Sequence, residues 1–206
     1  MIIDLTHLVE HGLPVYPGDA ETTLVHDRQL HRDHYNNHLL TINMHAGTHM
    51  DGPMHLTDST TYLNDYPVDR FVGKGCLIDA AFEREIDYRP EYEALIPEES
   101  IVVVHTGHGR LFGKPGYFEE YPVLTVPFAQ LLARKRVKIV GLDTPSPDRY
   151  PFEVHRSLFA NDVLILENLA NVEKLVGAAA FEITALPLRI RADSSIARVI
   201  ARIEKP

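Results

Sequence analysis

The stretch Leu40-Thr41-Ile42-Asn43-Met44-His45-Ala46-Gly47-Thr48-His49-Met50-Asp51-Gly52-Pro53-Met54-His55 decides how this chain is read. Its first part alternates. Leu40, Ile42, Met44, Ala46 and Met50 are apolar, with Thr48 the one exception, while Thr41, Asn43, His45, Gly47, His49 and Asp51 are polar or small. A period of two marks a half-buried strand. The strand expected over residues 39–50 puts His45, His49 and Asp51 on one face and the core on the other. Gly47 lies between the two histidines with no side chain to block an ion. Gly52-Pro53 breaks the strand and lets the chain turn, bringing His55 back towards the same place. A helix would also pair His45 with His49, but Gly47, Gly52 and Pro53 oppose it.

One histidine on a polar strand face is ordinarily a surface or satisfied-core residue. Three histidines and an aspartate within residues 45–55 are another matter. Imidazole and carboxylate together suit zinc or a similar first-row ion. Disordered His-rich tracts also cluster histidine, but they lack an alternating apolar face. A metal site needs more than one segment, and the apolar run Val163-Leu164-Ile165-Leu166 ends in Glu167. A carboxylate closing a buried strand is costly unless paired, and a metal would resolve that cost. His155 lies upstream, before a short segment with helical character. Asp143, followed by Thr144-Pro145, reads better as a turn cap than as a ligand.

The rest of the chain sets bounds. Its 206 residues suffice for one sizeable core and are short for two domains, so a single domain over 1–206 is expected. A net charge of −9 makes nucleic acid and anionic membranes poor partners. The basic run Arg134-Lys135-Arg136 reads as a solvated helix end. No leader-like start and no apolar span of about 20 residues is present, so a cytoplasmic location and no membrane partner are expected. Cys76 stands alone, which excludes an internal disulfide and a thiolate metal site and leaves it a packing residue. Gly107-x-Gly109 lacks the third glycine of a dinucleotide fingerprint, and Ser157 has no nucleophile elbow around it.

Further strands are expected at 2–5, 72–80, 101–105, 138–142, 163–167 and 182–188, with 196–203 leaning the same way. Helices are expected at 91–96, 127–136 and 172–176. Thr125 caps the second, and Asn171 and Gly177 bracket the third. Strands dominate with helices between some of them, which is a mixed α/β fold.

The pattern His45-x-Gly47-Thr48-His49-x-Asp51-x-Pro53-x-His55 resembles the signature of the cyclase family, which includes bacterial kynurenine formamidases and isatin hydrolases. Pro14-x-x-Pro17-Gly18-Asp19, Asp143-Thr144-Pro145-Ser146 and His155 with Glu167-Asn168-Leu169 are similar to its other motifs, in order and spacing. The resemblance implies a swivelling β/β/α fold and a metal-dependent hydrolase, dimeric or larger, acting on a small molecule near the subunit interface. It implies that His45, His49 and Asp51 bind a first ion and His155 a second, with Asp51 and Glu167 touching both. It implies zinc in formamidases and manganese in the isatin-hydrolysing branch. His55 would be the proton shuttle, although the residues alone leave it open as a further ligand. Two such ions acidify a water whose hydroxide attacks the formyl carbonyl, and a histidine near neutral pKa can pass the proton to the leaving nitrogen.

Two positions depart from the family pattern. Tyr16 stands where formamidases commonly carry tryptophan, His108 follows Thr106-Gly107 where an aromatic, often tryptophan, is common, and the chain has no tryptophan. Both are expected to face substrate. Three readings follow: an arylformamidase cleaving N-formylkynurenine to kynurenine and formate, a sibling hydrolase of another cyclic or linear amide, imide or lactone, and a non-catalytic metal-binding protein. Retention of both carboxylates and of His55 counts against the third.

Overall fold

The computed structural model describes residues 1–203, so the last three residues of the expected domain lie outside the described ones. Along the chain run β1 (Ile2–Asp4), β2 (Thr23–Arg28), α1 (Leu30–Asp33), β3 (Asn37–Thr41), β4 (His49–Asp51), β5 (Val72–Asp79) and β6 (Glu85–Ile86). Then come α2 (Tyr92–Leu95), β7 (Ile101–His105), β8 (Val123–Leu124), α3 (Val126–Arg134), β9 (Ile139–Leu142) and α4 (Glu153–Phe159). The last elements are β10 (Leu164–Glu167), β11 (Phe181–Pro187) and β12 (Ser194–Ile203).

The main sheet has the order β1-β12-β11-β5-β7-β9-β10-β4. Strand β12 is long enough to have two neighbours on one edge. Its start pairs with β4, Ser194 opposite Asp51, and its later part pairs with β1, Arg202 opposite Ile2. The β4–β12 pairing closes the sheet into a barrel, with β1 outside the ring. Strands β5, β7, β9 and β10 run parallel to one another, and β4 lies antiparallel to β10.

Alternation along these strands makes two cores. Ile101, Val103, Ile139, Leu164, Leu166, Met50, Ile183 and Val199 fill one, inside the barrel. Val102, Val104, Val140, Leu142 and Ile165 face the other, where Phe128, Leu131 and Leu132 of α3 and Leu158 and Phe159 of α4 cover them. The parallel strands are buried on both faces, which is why β7 reads as a continuous β-branched run. The mixed α/β class expected from sequence holds, and 196–203 is part of a strand as anticipated.

One expectation fails in an instructive way. Residues 39–50 do not form one strand. Strand β3 stops at Thr41, the chain turns through residues 42–48, and β4 begins at His49. Asn43 is the cause: its Oδ1 accepts from the His45 N–H at 2.9 Å and its carbonyl accepts from the Ala46 N–H at 3.1 Å. Gly47 has φ +62, a conformation no strand residue adopts. Strand β3 instead pairs with β2 in a separate hairpin, where Leu39 and Leu40 are exposed rather than core.

The helix expected at 91–96 is a single turn, and that at 172–176 is a 3₁₀ turn over Val172–Leu175. Asn171 sits at its N-cap position with φ +56 but makes no side-chain cap bond, its Nδ2 donating to the Asp4 carbonyl instead. Thr125 does cap α3, accepting from the Phe128 N–H at 3.3 Å. Cys76 is buried in core packing, as expected. No helix among the described residues is long and apolar enough to cross a membrane.

Candidate metal centre

Because Met50 points into the barrel, its neighbours His49 and Asp51 must point outward, towards the α4 side. Strand register brings the rest. In the antiparallel β4–β10 ladder Glu167 stands opposite His49. His45 arrives from the turn before β4, His55 from the 3₁₀ turn Pro53–His55 after it, and His155 from α4. The side chains that the spacing grouped are thus brought together, although His45 gets there by a turn and not by strand alternation.

The distances are those of a ligand cluster. His45 Nδ1 lies 3.0 Å from Asp51 Oδ1, and His49 Nε2 lies 3.4 Å from that same oxygen. His49 Nε2 is 3.3 Å from Glu167 Oε2, and His155 Nε2 is 3.5 Å from Glu167 Oε1. Ligand atoms of His45, His49 and Asp51 all lie within 4.8 Å of one another, as do those of Asp51, His55 and His155. Glu167 therefore offers one oxygen towards each histidine, and Asp51 belongs to both groups.

Two observations fit a divalent cation here. His49 Nε2 and Asp51 Oδ1 are buried with no hydrogen-bond partner. Leaving such groups unsatisfied costs about 1–3 kcal/mol each, and a shared cation would satisfy both. Each ring is also fixed from behind. His49 Nδ1 donates to the Gly47 carbonyl at 2.8 Å, and His155 Nδ1 donates to Asp148 Oδ1 at 2.5 Å, so each turns Nε2 towards the centre. Outer partners of this kind set tautomer and orientation in metal-binding histidines.

Electrostatics point the same way. Burial works against charge on His49 and His155, but the surrounding carboxylates outweigh it. Asp51 and Glu167 hold His49 well above its ordinary pKa, and Asp148 and Glu167 raise His155 to about 9. Burial alone would raise the Asp51 pKa, yet His49 and His45 hold it well below the usual range. The carboxylates of the cluster thus favour positive charge beside them. His55 differs: burial pushes its pKa below the ordinary value, the Asp51 carboxylate opposing only in part, so it stays neutral.

A cavity of about 270 Å³ opens onto the cluster. His45, His55, His155 and Glu167 form its floor, and Tyr16, Phe118 and Phe152 supply aromatic walls. Tyr16 packs edge-on against Phe118 with centroids 5.7 Å apart. His108 is not among the residues lining this cavity. It is buried, stacks on Tyr117, donates Nε2–H to the Tyr117 carbonyl at 2.8 Å and lines a separate cavity beside Phe82 and Tyr121, so it does not face this one as expected. Asp143 accepts from the N–H groups of Thr106 and Gly107, the turn-holding role expected of it.

Sequence reasoning missed two acids. Asp193, before β12, places Oδ2 3.1 Å from His45 Nε2 and 3.5 Å from His55 Nδ1. Asp148 accepts from the Val154 and His155 N–H groups at the start of α4 as well as from the His155 ring. The signal for Asp148 is an acid seven residues ahead of a candidate ligand, at a helix start. For Asp193 no local signal exists, because only barrel closure brings it to His45.

Comparison with known proteins adds to this geometry. The sequence matches the family model described as "Putative cyclase" over residues 3–149. It is 29% identical to a kynurenine formamidase of Bacillus cereus over 97% of this chain and 96% of the relative. It is 31% identical to an uncharacterised protein of Methanocaldococcus jannaschii over 97% of this chain and 98% of the relative. Among solved structures, an isatin hydrolase bound to the product analogue thioisatinate superposes with TM-score 0.85 at 21% identity, covering 99% of this chain and 92% of that one. A potential metal-dependent hydrolase with cyclase activity superposes with TM-score 0.82 at 23% identity, covering 100% and 99%. At such identities the structures speak for the fold.

Proposed function

This chain belongs to the cyclase family, and from that premise we propose that it is a metal-dependent hydrolase that cleaves an aryl formamide, N-formylkynurenine first among candidates, to the amine and formate. The observation that carries the proposal is the buried cluster with its two unpartnered ligand atoms, opening onto an aromatic-walled cavity. His45, His49 and Asp51 would hold one ion and His155 a second, with Asp51 and Glu167 shared. Zinc is the first expectation and manganese the alternative. When bound, the metal supplies Lewis acidity and an acidified water.

The side chains do the rest. Tyr16, Phe118 and Phe152 stack on the aryl ring and exclude water from it. His55, neutral and at the cavity floor, takes the proton of the attacking water and returns it to the nitrogen as the C–N bond breaks. Asp193 orients His55 and His45 through the contacts given above. The unit of function is the whole of 1–206, in the cytoplasm. A second copy would cover the hairpin of β2 and β3, where Val25, Leu39 and Leu40 are exposed.

A second reading has its own observation. With no tryptophan in the chain, an exposed Tyr16 and a withdrawn His108, the cavity presents less aromatic area than an arylformamidase pattern implies. That favours a sibling substrate, such as a cyclic amide or a lactone. Hydrolysis of N-formylkynurenine by zinc- or manganese-reconstituted protein decides between them, with Asp51→Asn as control. A kcat/KM near 10⁴ M⁻¹s⁻¹, on the order expected for a native substrate and abolished in the control, is the expected result. Trace turnover, with a cyclic amide or lactone cleaved instead, would establish the second reading.

A further inference from the structure

We propose that Asn168 is a substrate-binding residue, its side-chain amide donating to the oxygen of the carbonyl under attack, and that Tyr117 is the positioning residue that aims it. The proposal rests on the hydrolase reading above and adds a residue to it.

Asn168 follows Glu167 directly and is 4% exposed, yet it lines the cavity beside His55 and His155. Its backbone is held at φ +55, a left-handed conformation that asparagine tolerates better than most residues. The surroundings fix it there. Its N–H donates to the Thr144 carbonyl at 2.9 Å, and its carbonyl accepts from Thr48 Oγ1 at 2.6 Å. Such over-determined backbone conformations cluster at functional sites.

The side chain is fixed as well. Tyr117, 1% exposed, donates its hydroxyl to Asn168 Oδ1 at 2.7 Å. Burial, with the Asp143 and Glu167 carboxylates adding to it, pushes the Tyr117 pKa far up, so the phenol keeps its proton and can donate it. The structure sets Oδ1 on the Tyr117 side of the amide. The Nδ2 end is then left for the cavity that Asn168 lines.

The chemistry gives this end a task. Attack on a carbonyl gathers negative charge on its oxygen. Asp51 and Glu167 accept hydrogen bonds and cannot donate them when ionised. An amide N–H is a neutral donor that stabilises the developing charge without adding a third carboxylate to the floor. Removal of one such donor typically lowers kcat by about 10²–10³-fold.

The test uses zinc-loaded protein and three variants. Asn168→Gly keeps the left-handed backbone and removes the amide, Tyr117→Phe frees the amide from its holder, and the third combines them. The expected result is unchanged zinc content in all three, a kcat lower by about 10²-fold in Asn168→Gly, and a smaller loss in Tyr117→Phe. In the Asn168→Gly background Tyr117→Phe should cost nothing further, because a positioning residue has nothing left to position. Parent-like kcat in Asn168→Gly, or full additivity of the two losses, overturns the proposal. A second readout does not need turnover: titration of formate into zinc-loaded, ¹⁵N-asparagine-labelled protein. Displacement of the Asn168 Nδ2 cross-peaks in the parent, and less of it in Tyr117→Phe, supports the proposal, and unmoved cross-peaks overturn it. If the parent leaves N-formylkynurenine intact, the substrate reading alone has failed, and the formate titration decides the role of Asn168.

Discussion

Asp51 is the side chain with the fewest alternatives. It is 1% exposed, its Oδ1 has no hydrogen-bond partner, and two histidines converge on that oxygen. Asp51→Ala should therefore lose bound metal and activity together, and metal content at the parent level by elemental analysis would refute its bridging role. His55→Ala should keep its metal and lose turnover; a metal-free variant would make His55 a ligand. Asp148 acts one step behind, through the His155 ring. Asp148→Asn weakens the acceptor and should lower metal affinity by about 10–100-fold, read by competition with a chromophoric chelator; parent-like affinity would show that α4 alone orients His155. These residues also mark what a sequence can reveal. His45, His49, Asp51 and His55 are legible because they lie within a few residues of one another and share a chemistry. Glu167 is legible because it is an acid ending an apolar run. Asp193 is not, since it lies 148 residues from His45 and meets it only once β12 pairs with β4.

At the scale of elements, strands with apolar runs are legible in the sequence and short or polar ones are not, for one reason. Strands β5, β7, β9, β10 and β11 carry apolar runs because both faces, or one, lie in a core. Strands β2, β6 and β8 are short or solvent-facing and leave no periodic trace. The alternation in 39–50 is real but spans two structures, and the break lies in Asn43 and Gly47, whose turn chemistry outweighs periodicity. A different glycine tests the packing of the barrel itself. Gly75 in β5 faces Phe181 of β11 so closely that an added Cβ would overlap the ring. Phe181 is itself 5% exposed, within the barrel core. Gly75→Ala should cost about 1–3 kcal/mol, the range for overpacked cores, seen as a lower urea midpoint at unchanged slope. An unchanged midpoint would mean that the ring repacks freely and that this contact does not fix the β5–β11 register.

For the molecule as a whole, one part of its stability against pH lies in how the chain's start is tied to the barrel. The segment after β1 runs against the turn that carries His45, where the His7 N–H donates to Thr48 Oγ1 at 3.0 Å. The His7 ring stacks on Phe112 at 3.7 Å, nearly parallel, and its Nε2 is buried without a partner. Burial lowers its pKa from 6.5 to about 4, so the folded protein holds this ring neutral where the unfolded chain would protonate it. Between those two values the unfolded state binds the extra proton, and stability must rise with pH. The contribution is fully present above about pH 6.5 and is lost as pH falls towards about 4. The slope cannot exceed about 1.4 kcal/mol per pH unit, and partial exposure of the ring reduces the whole effect to about 1–2 kcal/mol. His7→Phe keeps the stack and removes the titrating group. Urea unfolding of metal-free parent and variant between pH 7 and 4 should give curves whose separation grows in the variant's favour as pH falls, with other titrating groups cancelling in the difference. A separation that stays constant over that range would show that protonated His7 finds water in the folded state, and that this tie opens before the barrel does.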